Sequence, residues 1–167
     1  MATEIAQMFR AQLNDIHTML LAVSPAMADM PWRPDGWTRK QIVGHLLDSA
    51  ANNRQRFVRA SIDGEYTGPG YKQDAWVAAH GYAEQSWDDL LFWWSAEHQI
   101  LMAIVDRIAE ERFSAECRVD DCEPVTLRFL IEDYVQHQQH HLAQPERRAH
   151  QHEAQAQPAF IQIAGSG

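Results

Sequence analysis

Four long stretches of this chain repeat apolar residues every three or four positions, and no other feature constrains the fold as strongly. Helical geometry brings such positions onto one face, which must be buried against a partner. The first stretch, residues 3–23, carries Ile5, Met8, Phe9, Ile16, Met19, Leu20 and Val23, with Thr3 placed to cap its start. The second, 39–62, opens on Thr38 and Gln41 in capping-box spacing and presents Ile42, Val43, Leu46, Leu47, Ala50 and Phe57. The third, 87–111, follows Ser86 and aligns Leu90, Trp94, Leu101, Ile104 and Ile108. The fourth, 127–144, follows Thr126, and Pro145 ends or bends it. No segment alternates convincingly enough for a strand, and the stretch holding Cys117 and Cys122 reads as a loop or a short irregular hairpin. Four amphipathic helices predict an all-α four-helix bundle. The connection between the second and third, marked by Gly64 and Gly68-Pro69-Gly70, is long for a bundle, as functional loops often are.

Composition narrows the partners. A chain of 167 residues that is 46% hydrophobic can bury a core as one domain. Its 14 basic against 23 acidic residues, a net charge of −9, leave no basic face for nucleic acid or for an anionic membrane. No apolar run approaches the roughly 20 residues that span a bilayer. The first residues lack the basic and apolar regions of a signal peptide, and two cysteines are too few for a disulfide framework. A cytoplasmic protein is therefore expected. The domain is expected over residues 1–144. The tail, 145–167, is rich in Gln, Ala and His and is left to pack on the bundle or on a neighbouring subunit of a homodimer.

The chemistry concentrates on the fourth stretch. Leu127, Leu130, Tyr134, His137 and His141 are spaced three, four, three and four, one continuous inward stripe. Its last two members are histidines where a bundle ordinarily has Leu or Ile. Four helical residues rise about 6 Å, so these two imidazoles can close on one metal ion. Two core histidines with ordinary hydrogen-bond partners would share that spacing. His140 lies between them but points away around the helix. On the second stretch His45 sits at the edge of the apolar face, and Ser49, Asn52 and Arg56 follow it along one flank, as cleft lining or as a solvated edge. Glu97 interrupts the apolar stripe of the third stretch, as a general base near a metal, as a ligand itself, or as half of a structural pair with an arginine or with Gln12. Cys117 and Cys122 read as free thiols.

The segments Gly36-Trp37-Thr38 and Gly44-His45-Leu46-Leu47-Asp48-Ser49, with Tyr134-Val135-Gln136-His137-Gln138-Gln139-His140-His141-Leu142-Ala143-Gln144, resemble the DinB/YfiT-like superfamily. Tyr71-Lys72-Gln73-Asp74-Ala75-Trp76 is similar to its long loop. The resemblance spans roughly residues 1–144 and lapses at Pro145. It implies an up-down-down-up bundle and one divalent metal, often nickel or zinc, held by His45, His137 and His141. It also implies a metal-dependent hydrolase of unknown small-molecule substrate. The rivals are an S-transferase or isomerase using a low-molecular-weight thiol, with Arg54 or Arg56 forming a cationic wall, and a metal-binding stress-response bundle without turnover.

Overall fold

Each long helix starts where its capping residue places it. In the computed structural model, which describes residues 3–34 and 36–142, the Thr3 hydroxyl accepts the Ala6 N–H and opens α1 (Glu4–Leu21). Ser24 caps the single turn α2 (Pro25–Ala28). Thr38 and Gln41 form the predicted capping box at the head of α3 (Arg39–Asp63), and Gly64, in the left-handed region at φ 82°, ends it. Ser86 caps α5 (Trp87–Val105), and Thr126 accepts the Phe129 N–H at the start of α6 (Leu127–Leu142). Both halves of the capping box satisfy backbone donors that the helix leaves open, a gain of about 1 kcal/mol for such a cap.

Cross-contacts give the direction of each helix. The side chains of Arg10 and Asp106 pair, and the Trp87 indole donates to Val23 O, so α1 and α5 run antiparallel. Arg54 of α3 reaches Glu97 of α5 while Val43 and Trp87 share a cavity wall nearer both starts, so α3 and α5 run parallel. Phe57 packs on Tyr134 and His45 on His141, which sets α6 antiparallel to α3. The result is an up-down-down-up four-helix bundle with Phe9, Leu13, Ile16, Leu46, Phe57, Trp94, Leu101, Ile131 and Val135 in its core. Fully burying one such side chain contributes about 1.5–3 kcal/mol.

Two parallel neighbours cannot be joined by a short turn, and the long connection from α3 to α5 is structured. It contains β1 (Glu65–Gly68), α4 (Gln73–His80) and a 3₁₀ turn at Tyr82–Glu84. β1 pairs in parallel with β2 (Glu116–Val119), which pairs antiparallel with β3 (Val125–Thr126), in a three-stranded sheet. Sequence periodicity misses these strands, because they hold four, four and two residues, and misses α4, whose eight residues bury only Val77. The segment holding Cys117 is a hairpin strand, and both cysteines are free.

Two expectations are corrected. The third helix ends at Val105 rather than near residue 111, because after Asp106 bonds Met102 O the Arg107 and Ile108 N–H groups tighten onto Ile104 and Val105, three residues back. Ile108 stays buried, but in that turn rather than on a helical stripe. Met19, placed on the apolar face of α1, is 46% exposed at the rim of a cavity. The tail 145–167, with its expected packing, lies outside the described residues, as do Ala143 and Gln144.

Candidate metal centre

His45 stands two turns into α3, and His137 and His141 occupy successive turns near the end of α6, which runs the other way. Antiparallel packing therefore brings the three rings together. Ring centroids are 5.1 Å apart for His45 and His137, 4.8 Å for His45 and His141, and 4.6 Å for His137 and His141. One nitrogen from each ring lies within 4.8 Å of the others. The Nε2 atoms of His45 and His137 are 3.2 Å apart. Two nitrogens bound at 2.0–2.1 Å to one tetrahedral ion would be about 3.3 Å apart, so this edge already has the span of a ligand pair. His140 stays outside the group, its ring edge-on to His141 at 5.8 Å.

The setting keeps the imidazoles neutral. His45 is fully buried, not at the edge of the apolar face, and its ring packs against Trp37 at 5.3 Å. Burial, helped by the nearby His141, lowers its pKa to about 3. Burial and then His45 and His140 do the same for His137, while burial and then His137, His140 and Arg33 lower His141, each to about 3. Neutral imidazole is the form that ligates. His45 Nδ1 is buried without a hydrogen-bond partner. Three converging neutral nitrogen donors at this spacing fit a divalent metal ion.

The residues beside His45 anchor the long connection to α3. A Cβ on Gly44 would sit 2.1 Å from the Tyr82 ring, so only glycine lets the 3₁₀ turn pack there. Tyr82 then donates to Asp48 Oδ1 at 2.6 Å, and His80 Nδ1 lies 3.2 Å from the same oxygen. Burial raises the Asp48 pKa, against the opposing pull of the Tyr82 bond and of His80. Tyr71, its pKa pushed up by burial and by Asp48, bonds to Ser49. The Gly44-to-Ser49 motif thus serves the loop as much as the histidine. Its sequence signal was a glycine in mid-helix, which costs helix stability unless a close approach requires it.

Farther along this flank Ser49 and Arg56 are buried rather than solvated, and Asn52 is half-buried and donates to Asp48 O at 2.8 Å. Asn53 donates to Ser49 O, and Arg56 reaches Asn53 Oδ1 and Pro69 O, both at 3.4 Å. Arg56 is 2% exposed and makes no ion pair among the described residues. Glu97 is buried as its stripe predicts, but it does not belong to the histidine group. Its Oε2 accepts from Arg54 at 3.3 Å, and its Oε1 has no partner.

A second buried histidine was not singled out by spacing. His98 Nδ1 donates to Trp94 O at 2.7 Å, and its Nε2 accepts the Tyr134 hydroxyl at 2.6 Å. Gln138 donates to that hydroxyl at 2.9 Å and accepts from the Trp94 indole at 3.2 Å. The available signal was that Trp94, His98, Tyr134 and Gln138 form two i, i+4 pairs on facing helices.

The sequence pattern of the DinB superfamily matches residues 6–144. Relatives from Bacillus mycoides (strain KBAB4) and Bacillus cereus (strain B4264), provisionally named metal-dependent hydrolases, are each 32% identical over 64 residues, 38% of this chain and 37% of theirs. The matched stretch is thus little more than a third of those relatives' length. Among solved structures, YfiT from Bacillus subtilis, described as a probable metal-dependent hydrolase with an unusual four-helix bundle topology, superposes with a TM-score of 0.74 at 24% identity. That superposition covers 86% of this chain and 85% of YfiT. A mycothiol-dependent maleylpyruvate isomerase superposes with a TM-score of 0.69 at 16% identity, over 83% of this chain and 58% of that one. At these identities the likenesses carry the fold.

Proposed function

Because the chain belongs to the DinB superfamily, we propose that it is a divalent-metal-dependent enzyme that holds the ion, nickel or zinc, on His45, His137 and His141 and hydrolyses a small molecule. The single observation that carries this reading is the convergence of three neutral imidazoles from antiparallel helices. A divalent ion held there supplies Lewis acidity and lowers the pKa of a water or thiol that reaches it. Three protein ligands leave a coordination position open, as in catalytic zinc centres. His137 and His141 retain partial exposure, which favours an accessible centre over a sealed structural one. Trp37 and the buried side of His45 hold the cluster in place. Glu97 enters as the candidate general base through its unpartnered Oε1, in competition with a role as the structural partner of Arg54.

One observation favours a second reading, transfer to or from a low-molecular-weight thiol. Arg56, buried on the His45 flank without a carboxylate partner, suits an anionic cosubstrate, and the isomerase that shares the fold is mycothiol-dependent. The net charge of −9 supports a small-molecule partner, and two free cysteines support a reducing cytoplasm. No helix among the described residues is long and apolar enough to cross a membrane. The functional domain is proposed as residues 1–144, with 145–167 as a tail and a homodimer as the assembly. Elemental analysis of the purified protein, followed by turnover of ester, amide and electrophile panels with and without a thiol, tests both readings. One equivalent of metal with thiol-independent hydrolysis supports the first. Thiol-dependent turnover moves the assignment to the second.

A further inference from the structure

The α5 helix packs on α1, α2 and α3 through Trp87, Leu90, Trp94, Leu101 and Val105. Its opposite side is not polar. Phe92 is 77% exposed, Trp93 45% and Ile100 46%, with Ala96 exposed between them. An apolar patch of this kind, running along one helix, marks an interaction surface.

The order of residues on that side is specific. Asp89, Trp93, Ala96, Ile100, Ala103 and Arg107 are spaced four, three, four, three and four, with Arg107 just past the helix end. That is the 3.5-residue period with which one helix packs lengthwise on another. The set is also palindromic. Two copies of α5, laid antiparallel about a twofold axis level with His98, bring Asp89 opposite Arg107 of the second copy, Trp93 opposite its Ala103 and Ala96 opposite its Ile100. Each large side chain meets a small one, each acid meets a base, and every contact is made twice, as an isologous interface requires.

The charges fit the same register. Asp88 and Asp89 occupy the first turn of α5, and the Arg107 guanidinium is held at the other end by a 2.6 Å hydrogen bond to Ala103 O. Neither Asp89 nor Arg107 forms an ion pair among the described residues. At a net charge of −9, two copies repel each other overall, and this arrangement sets opposite charges together.

We propose that two copies of this chain dimerise through the outward faces of α5, antiparallel, with Trp93 and Ile100 as anchors and Asp89 paired with Arg107 at each end. The proposal rests on the homodimer put forward above and gives it an interface. The three ligand histidines stand on α3 and α6, outside this face.

Sedimentation equilibrium of the full chain reads the dimer dissociation constant. Ala96→Glu places two carboxylates in the apolar centre of the interface and should weaken the dimer by about 100-fold or more. Because Ala96 is exposed in the single chain, helix content by circular dichroism should not change. Asp89→Arg and Arg107→Asp should each weaken self-association about tenfold, by setting like charges opposite one another at both ends. An equimolar mixture of those two variants should recover the parental affinity, since the introduced arginine then faces the introduced aspartate and the native pair is kept at the other end. A dimer unmoved by Ala96→Glu, or a mixture no tighter than the single variants, would overturn this interface while leaving the homodimer standing. A chain that stays monomeric at millimolar concentration would overturn both.

Discussion

Two clusters of histidine chemistry share the α6 helix, one with α3 and one with α5, and differ in how fully their polar atoms are paired. Around His98 each named donor meets an acceptor: Trp94 to Gln138, Gln138 to Tyr134, Tyr134 to His98, and His98 back to Trp94 O. The direction of every bond follows from its neighbour, and burial, which lowers the His98 pKa to about 3, keeps the ring neutral. Around His45 the opposite holds. Three neutral rings turn nitrogens toward one point, and His45 Nδ1 is left without a partner. A closed polar circuit fixes how helices pack. An open one offers lone pairs to something else. The His98 circuit is wholly buried while His137 and His141 keep partial exposure, so the clusters differ in access as well as in hydrogen bonding.

The largest expected effect breaks the comparison directly. His45→Ala or His137→Ala should weaken metal binding by at least about 100-fold, beyond the usual loss on removing a group that only supports a ligand, as read by competition with a chelator. His98→Leu should leave the metal in place. Equal metal loss from His98→Leu would erase the distinction. Next, Tyr134→Phe strips one donor and one acceptor from the closed circuit and should cost about 1–3 kcal/mol for a buried group left unmatched, read as a lower Tm with unchanged metal content. Gly44→Ala should cost a comparable amount, about 1–3 kcal/mol of overpacking, by driving a methyl group into the Tyr82 ring.

Acid tests both clusters at once. His45 and His98 have folded-state pKa values near 3, below the ordinary value of 6.5, so the unfolded chain binds more protons between those limits. Stability from this source is full above pH 6.5 and declines as pH falls toward 3, by about 1.4 kcal/mol per pH unit for each ring. Denaturant midpoints should therefore drop on acidification from pH 6.5, and bound metal should steepen the drop. A midpoint flat from pH 7 to pH 5 would contradict the buried neutral rings. The smallest effect belongs to Glu97→Gln. Its partner Arg54 is 39% exposed, so solvent screens the pair and its loss should cost about 1 kcal/mol or less. A Tm change within that limit, with metal retained but turnover lost, would assign Glu97 to the chemistry. Normal turnover would leave it as the partner of Arg54.

Much of this was legible in the residues. Periodicity and caps located α1, α3, α5 and α6 because those helices are long, and the i, i+4 spacing of His137 and His141 placed their rings side by side. The burial of His45 was not legible. Its place at the margin of an apolar face looked solvated until Trp37 and the two α6 histidines covered it. The β2–β3 pair falls where a short hairpin was one of two readings, whereas β1 escaped because four residues hold too few alternations and its partner lies about fifty positions away. The His98 circuit escaped because a histidine and a glutamine on an apolar face carry no sign of which partners will satisfy them. The end of α5 was overrun because Ile108 keeps helical spacing in a turn that is no longer helical.

The parallel pairing of Glu65–Gly68 with Glu116–Val119 has a consequence for motion. β1 leaves α3 directly after Gly64, and β2 leads through β3 into α6, so one ladder spans both long connections. Asp120 extends the tie, its N–H on Gly68 O and its carboxylate on the Gly70 N–H. Neither connection can open alone without breaking hydrogen bonds that belong to the other. Amide exchange in the two strands should therefore proceed as one event with one opening free energy, a cooperative unit assembled from distant parts of the chain.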